Sequence, residues 1–441
     1  SRRLCHLGRA AWAALRVFSV SLSLLVAVGL SLAGNGLLGT LSALRLADAA
    51  VPDELTGLVL SAYFAGLMGG TLGLGSTVAR VGHIRSFAAF TALAVFAALA
   101  QGLTPPGVLW LPLRAMTGLC MAGTYLTVES WLHAEAAPES RGRVLAAYLV
   151  ALYLGTGAGQ LLLPLAPTET LGAFALAALL ASLAVVPICL TRVSAPRLEQ
   201  AATMATTGLV RDAPVGLGGA LVSGFVAGTI YANAPLLGRE SGMEATDVAG
   251  LMAAFFAGGL AGQWPLGRLS DRADRRLVLL GTMLGLAGLC AAFLAVAATP
   301  SRTWWALAFA FGALAFALYP LAVAHTIDRV GANQSLSAAS QLLLASSIGA
   351  FSAPVLVGAA SPWLGASAFL MLDALLLVGF SLAASLRILR VDPVRQGPFQ
   401  PMARTTLAAH ELDPRRSGGD IPSSTTGPSL PARQPTFGEN P

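Results

Sequence analysis

The chain has 441 residues, 55% of them hydrophobic and 11% charged, with a formal net charge of +6. Soluble domains carry about 25% charged residues, so the composition excludes an ordinary pair of soluble domains and points to a membrane protein. The positive surplus sits in short arginine-bearing loops between apolar blocks, a pattern of membrane orientation that argues against a nucleic-acid partner.

An apolar block of about 18 or more residues can cross a hydrocarbon core of about 30 Å. In chain order such blocks fall at 18–44, 55–78, 86–103, 108–132, 144–165, 171–190, 215–237, 248–269, 277–298, 304–326, 336–357 and 363–386. Hydrocarbon offers no partner to backbone N–H and C=O groups, so each block is predicted to be a helix. The first follows a basic segment, 1–16, with Arg2, Arg3, Arg9 and Arg16. It is too long for a signal peptide and lacks a small-residue cleavage site before Asp48, so it is expected to be a retained helix.

Bundles of six helices are expected at 17–190 and 215–390, joined by a polar linker, 191–214. The extension 391–441 is rich in Pro, Ser, Gly and Thr, shows no apolar period, and is expected to be disordered in the cytoplasm. With the N-terminus inside, nineteen loop arginines lie on the cytoplasmic side and only Arg45, Arg239 and Arg302 outside. That bias predicts cytoplasmic termini. The four cysteines are scattered and suggest neither a disulfide framework nor a metal site.

The two halves echo each other. Tyr63-Phe64-Ala65-Gly66 runs into Gly75-Ser76-Thr77-Val78-Ala79-Arg80, and Phe255-Phe256-Ala257-Gly258 runs into Gly267-Arg268-Leu269-Ser270-Asp271-Arg272, each matched position 192 residues apart. A repeat of this kind is the usual plan of a secondary transporter.

The turn Gly267-x-x-x-Asp271-Arg272-x-Asp274-Arg275-Arg276 resembles the loop motif of the major facilitator superfamily. Its first-half counterpart, Gly75-x-x-x-x-Arg80-x-Gly82-x-x-Arg85, has Ala79 where the motif carries aspartate. Arg114-x-x-x-Gly118 in the fourth span and Pro138-Glu139-Ser140-Arg141-Gly142-Arg143 after it are also similar to that family. The fifth span departs from the exchanger pattern, because Gly155-Thr156-Gly157-Ala158-Gly159-Gln160 lacks a Gly-Pro pair. Val128-Glu129-Ser130, Gly262-Gln263-Trp264-Pro265-Leu266-Gly267-Arg268 and Leu318-Tyr319-Pro320 resemble the YcaD-type branch, and the matches together run from about 20 to 390. The resemblance implies an all-α membrane protein, with twelve transmembrane helices in two pseudo-symmetric six-helix bundles.

In such a fold Asp271 would face the start of the fifth helix near Arg141 and Arg143. With Gly75, Arg80, Arg85, Gly267, Arg272 and Arg276 it would gate the cytoplasmic side. Topology alone is the other role open to these arginines. Arg114 lies inside the apolar layer, where an arginine costs about 2.5–3.5 kcal/mol, so it should face a polar cavity or a carboxylate. The resemblance ties that position to proton coupling or substrate. Glu129 lies fifteen residues further on, about 22 Å along the helix axis. It cannot pair with Arg114. It is expected to meet Arg80 or Arg85 as a gate acid, or to bind a proton.

Asp373, mid-span in the last helix, should be protonated or paired across a helix interface. Asn35, Tyr125, Gln160, Tyr231, Asn233, Gln263, Tyr319 and Gln341 are candidates for contact with a neutral or zwitterionic solute. His325 is a further titratable group. The glycine run Gly69-Gly70-x-x-Gly73-x-Gly75 lies in an apolar helix and suggests helix packing, not a nucleotide loop. No cofactor, metal site or enzyme chemistry is implied.

The expected function is secondary active transport of a small organic solute by a monomer in a bacterial inner membrane. It would be proton-coupled, with export ahead of import. A facilitative uniporter or importer, and a non-transporting sensor or scaffold on the same fold, stay open.

Overall fold

The structure, a computed structural model, describes residues 2–190, 213–296, 302–330, 334–388 and 396–411. Its elements are helical. The first half comprises α1 (Arg2–Asp48), α2 (Asp53–Gly73), the short α3 (Gly75–Val81), α4 (His83–Leu103), α5 (Trp110–Glu135), α6 (Arg141–Leu161) and α7 (Leu171–Cys189). The second comprises α8 (Pro214–Ala232), the short α9 (Ala234–Glu240), α10 (Ala245–Arg272), α11 (Arg275–Ala295), α12 (Arg302–Val330), α13 (Ser335–Leu364) and α14 (Ala368–Ile388). A last turn, α15 (Leu407–Glu411), follows.

Eleven of these helices are long and apolar enough to cross a membrane. The twelfth spanning helix, α5, is 26 residues long but carries Arg114, Glu129 and Glu135, and most of it is buried among the others. Outward-facing Leu190, Leu375 and Trp363 are 75%, 71% and 82% exposed, which suits lipid and would be costly in water. The chain is a multi-pass membrane protein.

Local sequence sets the helix ends. Asp53 and Glu54 open α2, where carboxylates favour the helix dipole. Asp274 caps α11 by accepting from the Arg276 backbone N–H at 2.9 Å. The turn between α3 and α4 needs Gly82, at φ +89°. The expected seventh span is split at Asn233, because Pro235 sits in the first turn of α9 and cannot continue the ladder of α8.

The repeat in sequence becomes a repeat in packing. In the first half α2 lies on α5 and α1 on α6; in the second, α10 lies on α12 and α8 on α13. At the first crossing, a Cβ on Gly118 would overlap the Tyr63 carbonyl oxygen. At the matching crossing, one on Gly312 would overlap that of Phe255. Gly66 and Gly258 face Ala115 and Phe309 in the same way. Glycine lets the two backbones touch, and small residues at a crossing are what membrane helices use to associate. Gly70 packs on Leu119 and Ala122 as the packing role predicts, while Gly69 and Gly73 face open space.

Between the halves, α2 packs on α13 and α6 on α10. The halves meet closely at the end carrying the α1–α2 turn. There a Cβ on Gly358 would lie 2.5 Å from the Asp53 carbonyl oxygen. The Arg239 Nε donates to Asp48 Oδ1 at 2.7 Å across the same seam. The opposite end, which carries the arginine turns, is called the basic end below.

The expected linker 191–214 lies outside the described residues except at 213 and 214. The expected disordered extension needs correction. Residues 396–411 turn back from the basic end and run between the two halves, while 391–395 and 412–441 lie outside the described residues. Composition suggested a solvated tail, but hydrogen bonds to distant helices hold this stretch.

Candidate transport site

A cleft between the halves, about 1020 Å3 when counted out to its open mouth, is lined by α1, α2, α5 and α6 from one half and α8, α12 and α13 from the other. Its walls carry Tyr63, Tyr125, Tyr153, Tyr231 and Tyr319. The chain has only six tyrosines, and the sixth, Tyr148, donates its hydroxyl to Glu129 Oε1 at 2.5 Å beside the cleft. Every tyrosine in the sequence therefore lies in or beside this cleft. Phe316 sits among them, its ring centroid 5.4 Å from that of Tyr153 and 6.2 Å from that of Tyr231. Aromatic faces bind apolar bodies and cations alike, and the hydroxyls supply polarity without net charge.

Of the expected solute-contacting residues, Asn35, Tyr125, Tyr231 and Tyr319 line the cleft. Asn35 Nδ2 donates to the Tyr63 hydroxyl at 3.1 Å. Gln160 lies just beyond, in a smaller pocket it shares with Asn35, Tyr63 and Arg114, and accepts from Thr40 Oγ1 at 2.7 Å. Gln263 stands behind the wall, donating to the Tyr153 hydroxyl at 3.2 Å and the Phe316 carbonyl at 3.1 Å. It ties α10 to α6 and α12. Asn233 is buried at the α8–α9 break and does not line the cleft. Gln341 is half-buried on α13 and is not a lining residue either.

Arg114 is 5% exposed, with its guanidinium carbon 5.1 Å from the centre of the Tyr63 ring. Its Nε and Nη1 have no hydrogen-bond partner among the described residues. The expected polar surroundings are there, but the described neighbours include no carboxylate partner. The described contact that offsets its charge is the face of the Tyr63 ring.

Glu129 is wholly buried, and its partners differ from those expected. Its carboxylate accepts from Tyr148, Thr405 and Thr406. Arg80 and Arg85 are exposed, and neither has a polar partner among the described residues. The expected pairing with Arg80 or Arg85 is not formed; the side chain turns to α6 and to the returning segment.

The second turn also works otherwise than expected. Asp271 does not reach Arg141 or Arg143; it accepts from the Phe399 backbone N–H at 2.6 Å and from Arg275 Nη2 at 3.4 Å. Arg272 and Arg143 are exposed, and Arg141 is half-buried. Arg276 pairs with Asp274 in its own turn at 2.7 Å, and that hydrogen bonding holds the Asp274 carboxyl below its usual range. The organising residue is Arg275, 1% exposed, which bonds Ser270 Oγ at 2.8 Å, the Gly397 carbonyl at 2.8 Å and the Asp328 carboxylate. Gly267 gives room to the Phe399 ring, which would lie 2.5 Å from a Cβ there. Gly75 opens α3. The residues of this turn thus anchor the returning segment.

Asp373 is buried on α14, with Oδ2 2.8 Å from the Thr229 hydroxyl of α8, the interface pairing anticipated for it. His325 is buried near the basic end of α12 and does not line the cleft.

At the closed seam, burial and the nearby Asp53 push the Glu240 carboxyl above its usual range. A raised carboxyl favours this closed arrangement when protonated, so closure should strengthen as pH falls through that group's titration. Asp48→Asn is expected to weaken closure by about 0.2–1 kcal/mol, the usual worth of an exposed ion pair. Label-to-label distances across the seam would report both effects.

The comparisons bear on this arrangement. A family model described as Major Facilitator Superfamily matches residues 216–417. The chain is 34% identical over 322 residues to an uncharacterized MFS-type transporter YcaD of Escherichia fergusonii, covering 72% of this chain and 82% of that protein. It is 33% identical over 325 residues to a YcaD of Salmonella enteritidis, with the same two coverages, 72% and 82%. Among solved structures, a mutant of the nucleoside transporter NupG aligns with a TM-score of 0.72 at 12% identity, over 84% of this chain and all (100%) of that one. An inward-facing, unoccupied bacterial homologue of the human lysosomal transporter Spinster aligns with a TM-score of 0.64 at 18% identity, over 85% of this chain and 98% of that one. At such identities the structures speak for the fold. With two packed repeats, a cleft between them and a third of its aligned residues shared with transporters of one branch, the chain belongs to the major facilitator superfamily and resembles its YcaD-type members.

Proposed function

We propose that the chain is a secondary active transporter of a small organic solute, working by alternating access as a monomer in a bacterial inner membrane. The observation that carries the reading is the cleft itself. Both halves build its walls, one end is sealed by the α2–α13 crossing and the Asp48–Arg239 pair, and the other end is where the chain's own segment enters. A site so placed can face either side when one half rocks against the other.

The arginine bias puts the basic end, and with it both termini, in the cytoplasm. The arrangement is then inward-facing, and a site loaded from the cytoplasm suits export. Protons are the coupling ion we assign. Glu129, wholly buried beside the cleft and reached by hydroxyl donors from α6 and from the returning segment, is a carboxylate that solute and proton would compete for. Arg114, behind Tyr63, is the fixed charge that would sense the change.

Proteoliposomes holding a trapped pH dye, challenged with a broad panel of metabolites and amphiphilic drugs, test this. Wild type is run beside Glu129→Gln and Arg114→Ala. A compound that moves protons in wild type and in neither variant is the expected result. Solute movement with no proton signal would leave a uniporter, and silence across the panel would favour a sensor or scaffold.

A further inference from the structure

The segment that returns into the cleft is a tenant with its own chemistry. Beyond the anchors at Gly397 and Phe399, Met402, Ala403, Arg404 and Thr405 form part of the cleft's lining. Arg404 Nη1 donates to the Ser223 carbonyl at 2.7 Å and its hydroxyl at 3.2 Å, deep between the halves. Thr405 and Thr406 donate to the two oxygens of Glu129. Thr406 also caps α15, accepting from the Ala408 N–H at 3.2 Å, and His410 lies 3.0 Å from the Tyr319 hydroxyl. The segment thus places a guanidinium among tyrosines and two donors on a buried carboxylate.

Without the segment, Glu129 would keep Tyr148 as its hydroxyl donor. A buried carboxylate stripped of donors is costly, so the empty cleft demands a replacement. The replacement best matched to the walls has the same features: positive charge, donors for Glu129 and the Ser223 carbonyl, and a body that tolerates aromatic faces.

We propose that the cleft takes an organic cation bearing hydrogen-bond donors, and that residues 402–406 of the same chain are its tethered competitor. This rests on the transport reading above. The segment holds the cleft in the inward-facing arrangement until solute displaces it, so the free cleft sets how much substrate is bound.

Pentylguanidine and its neutral isostere pentylurea are suitable probes, measured on the full chain in nanodiscs. The variant Arg404→Ser, Thr405→Val, Thr406→Val is expected to bind pentylguanidine about tenfold or more tightly than wild type does, since apparent affinity scales with the fraction of free cleft. Pentylurea should gain nothing, and adding Glu129→Gln should erase the gain. Equal affinity in wild type and variant would overturn the competitor role, and equal binding of the two probes would overturn the cation class.

Amide exchange on the wild-type chain serves where the variant folds poorly. Saturating pentylguanidine should speed exchange across 399–411. A segment that stays protected while the sealed end opens and closes would refute this inference and leave transport standing. Protection of both under every solute would contradict both readings.

Discussion

A Gly118→Val chain is expected to lose its folded, monodisperse form. The crossing of α2 and α5 has no room for a side chain there, because the Tyr63 carbonyl oxygen occupies the place of the first carbon. The atom in the way is backbone, so no rotamer change relieves it. Overpacking a well-filled core costs about 1–3 kcal/mol, and more where backbone must move. We expect more than about 3 kcal/mol, which is a large part of the stability of most domains. Gly312→Val should do the same at the repeated crossing, where the Phe255 carbonyl stands in the way. Gly281→Ala on α11, with nothing within 4 Å, should be neutral or slightly stabilising. Thermal unfolding in detergent, followed by size-exclusion chromatography, checks all three. Equal melting of Gly118→Val and wild type would show that α2 and α5 do not cross in backbone contact at Gly118.

Glu129→Gln is expected to show the largest loss of transport. The carboxylate is fully buried and receives three hydroxyl donors; an amide offers one acceptor and turns two hydrogens toward those same hydroxyls. Losing one side of a buried, hydrogen-bonded charge contact costs about 2–5 kcal/mol, which is about thirtyfold or more in affinity. Solute-dependent proton movement should fall by at least that factor, and the pH dependence of what remains should flatten. Glu129→Asp, with the charge kept but set back by one methylene, should retain part of the activity. Full activity in Glu129→Gln would reduce the residue to an anchor for the returning segment.

The fold was legible because its determinants are local or periodic. Twelve apolar blocks predict spanning helices, and among the described residues eleven are long and apolar enough to cross a membrane. The 192-residue offset between Tyr63 and Phe255 marks two related halves, which pack through matching crossings. Asn35, Tyr125, Tyr231 and Tyr319, singled out by their depth and by the helices that line the pathway in the resembled fold, line the cleft. The pairing of Glu129 was not, because helical rise gives depth and says nothing of which face a side chain takes. Arg272 is singled out as a gate residue and Arg275 is not, though both stand in the turn motif. Only the fold shows that the first meets solvent and the second is buried on Asp328. Composition hid the returning segment, since Thr405 and Thr406 are held by a carboxylate 276 and 277 residues away. One signal in the sequence could have named Tyr148 and Tyr153: the chain has six tyrosines, and all lie within predicted spans.

The central claim is that the two halves rock about the tyrosine-lined cleft. Pulsed dipolar EPR on two doubly labelled chains, with native cysteines replaced, tests it most directly. One pair, Ala49→Cys with Glu244→Cys, spans the sealed end; the other, Arg80→Cys with Arg272→Cys, spans the basic end, and all four positions are exposed. The prediction is reciprocal movement. A transported solute or a change of pH should lengthen distances across the sealed end and shorten those across the basic end, with both populations present in one sample. A single unchanging distance at each end, under every solute and pH, would contradict alternating access and leave a rigid scaffold.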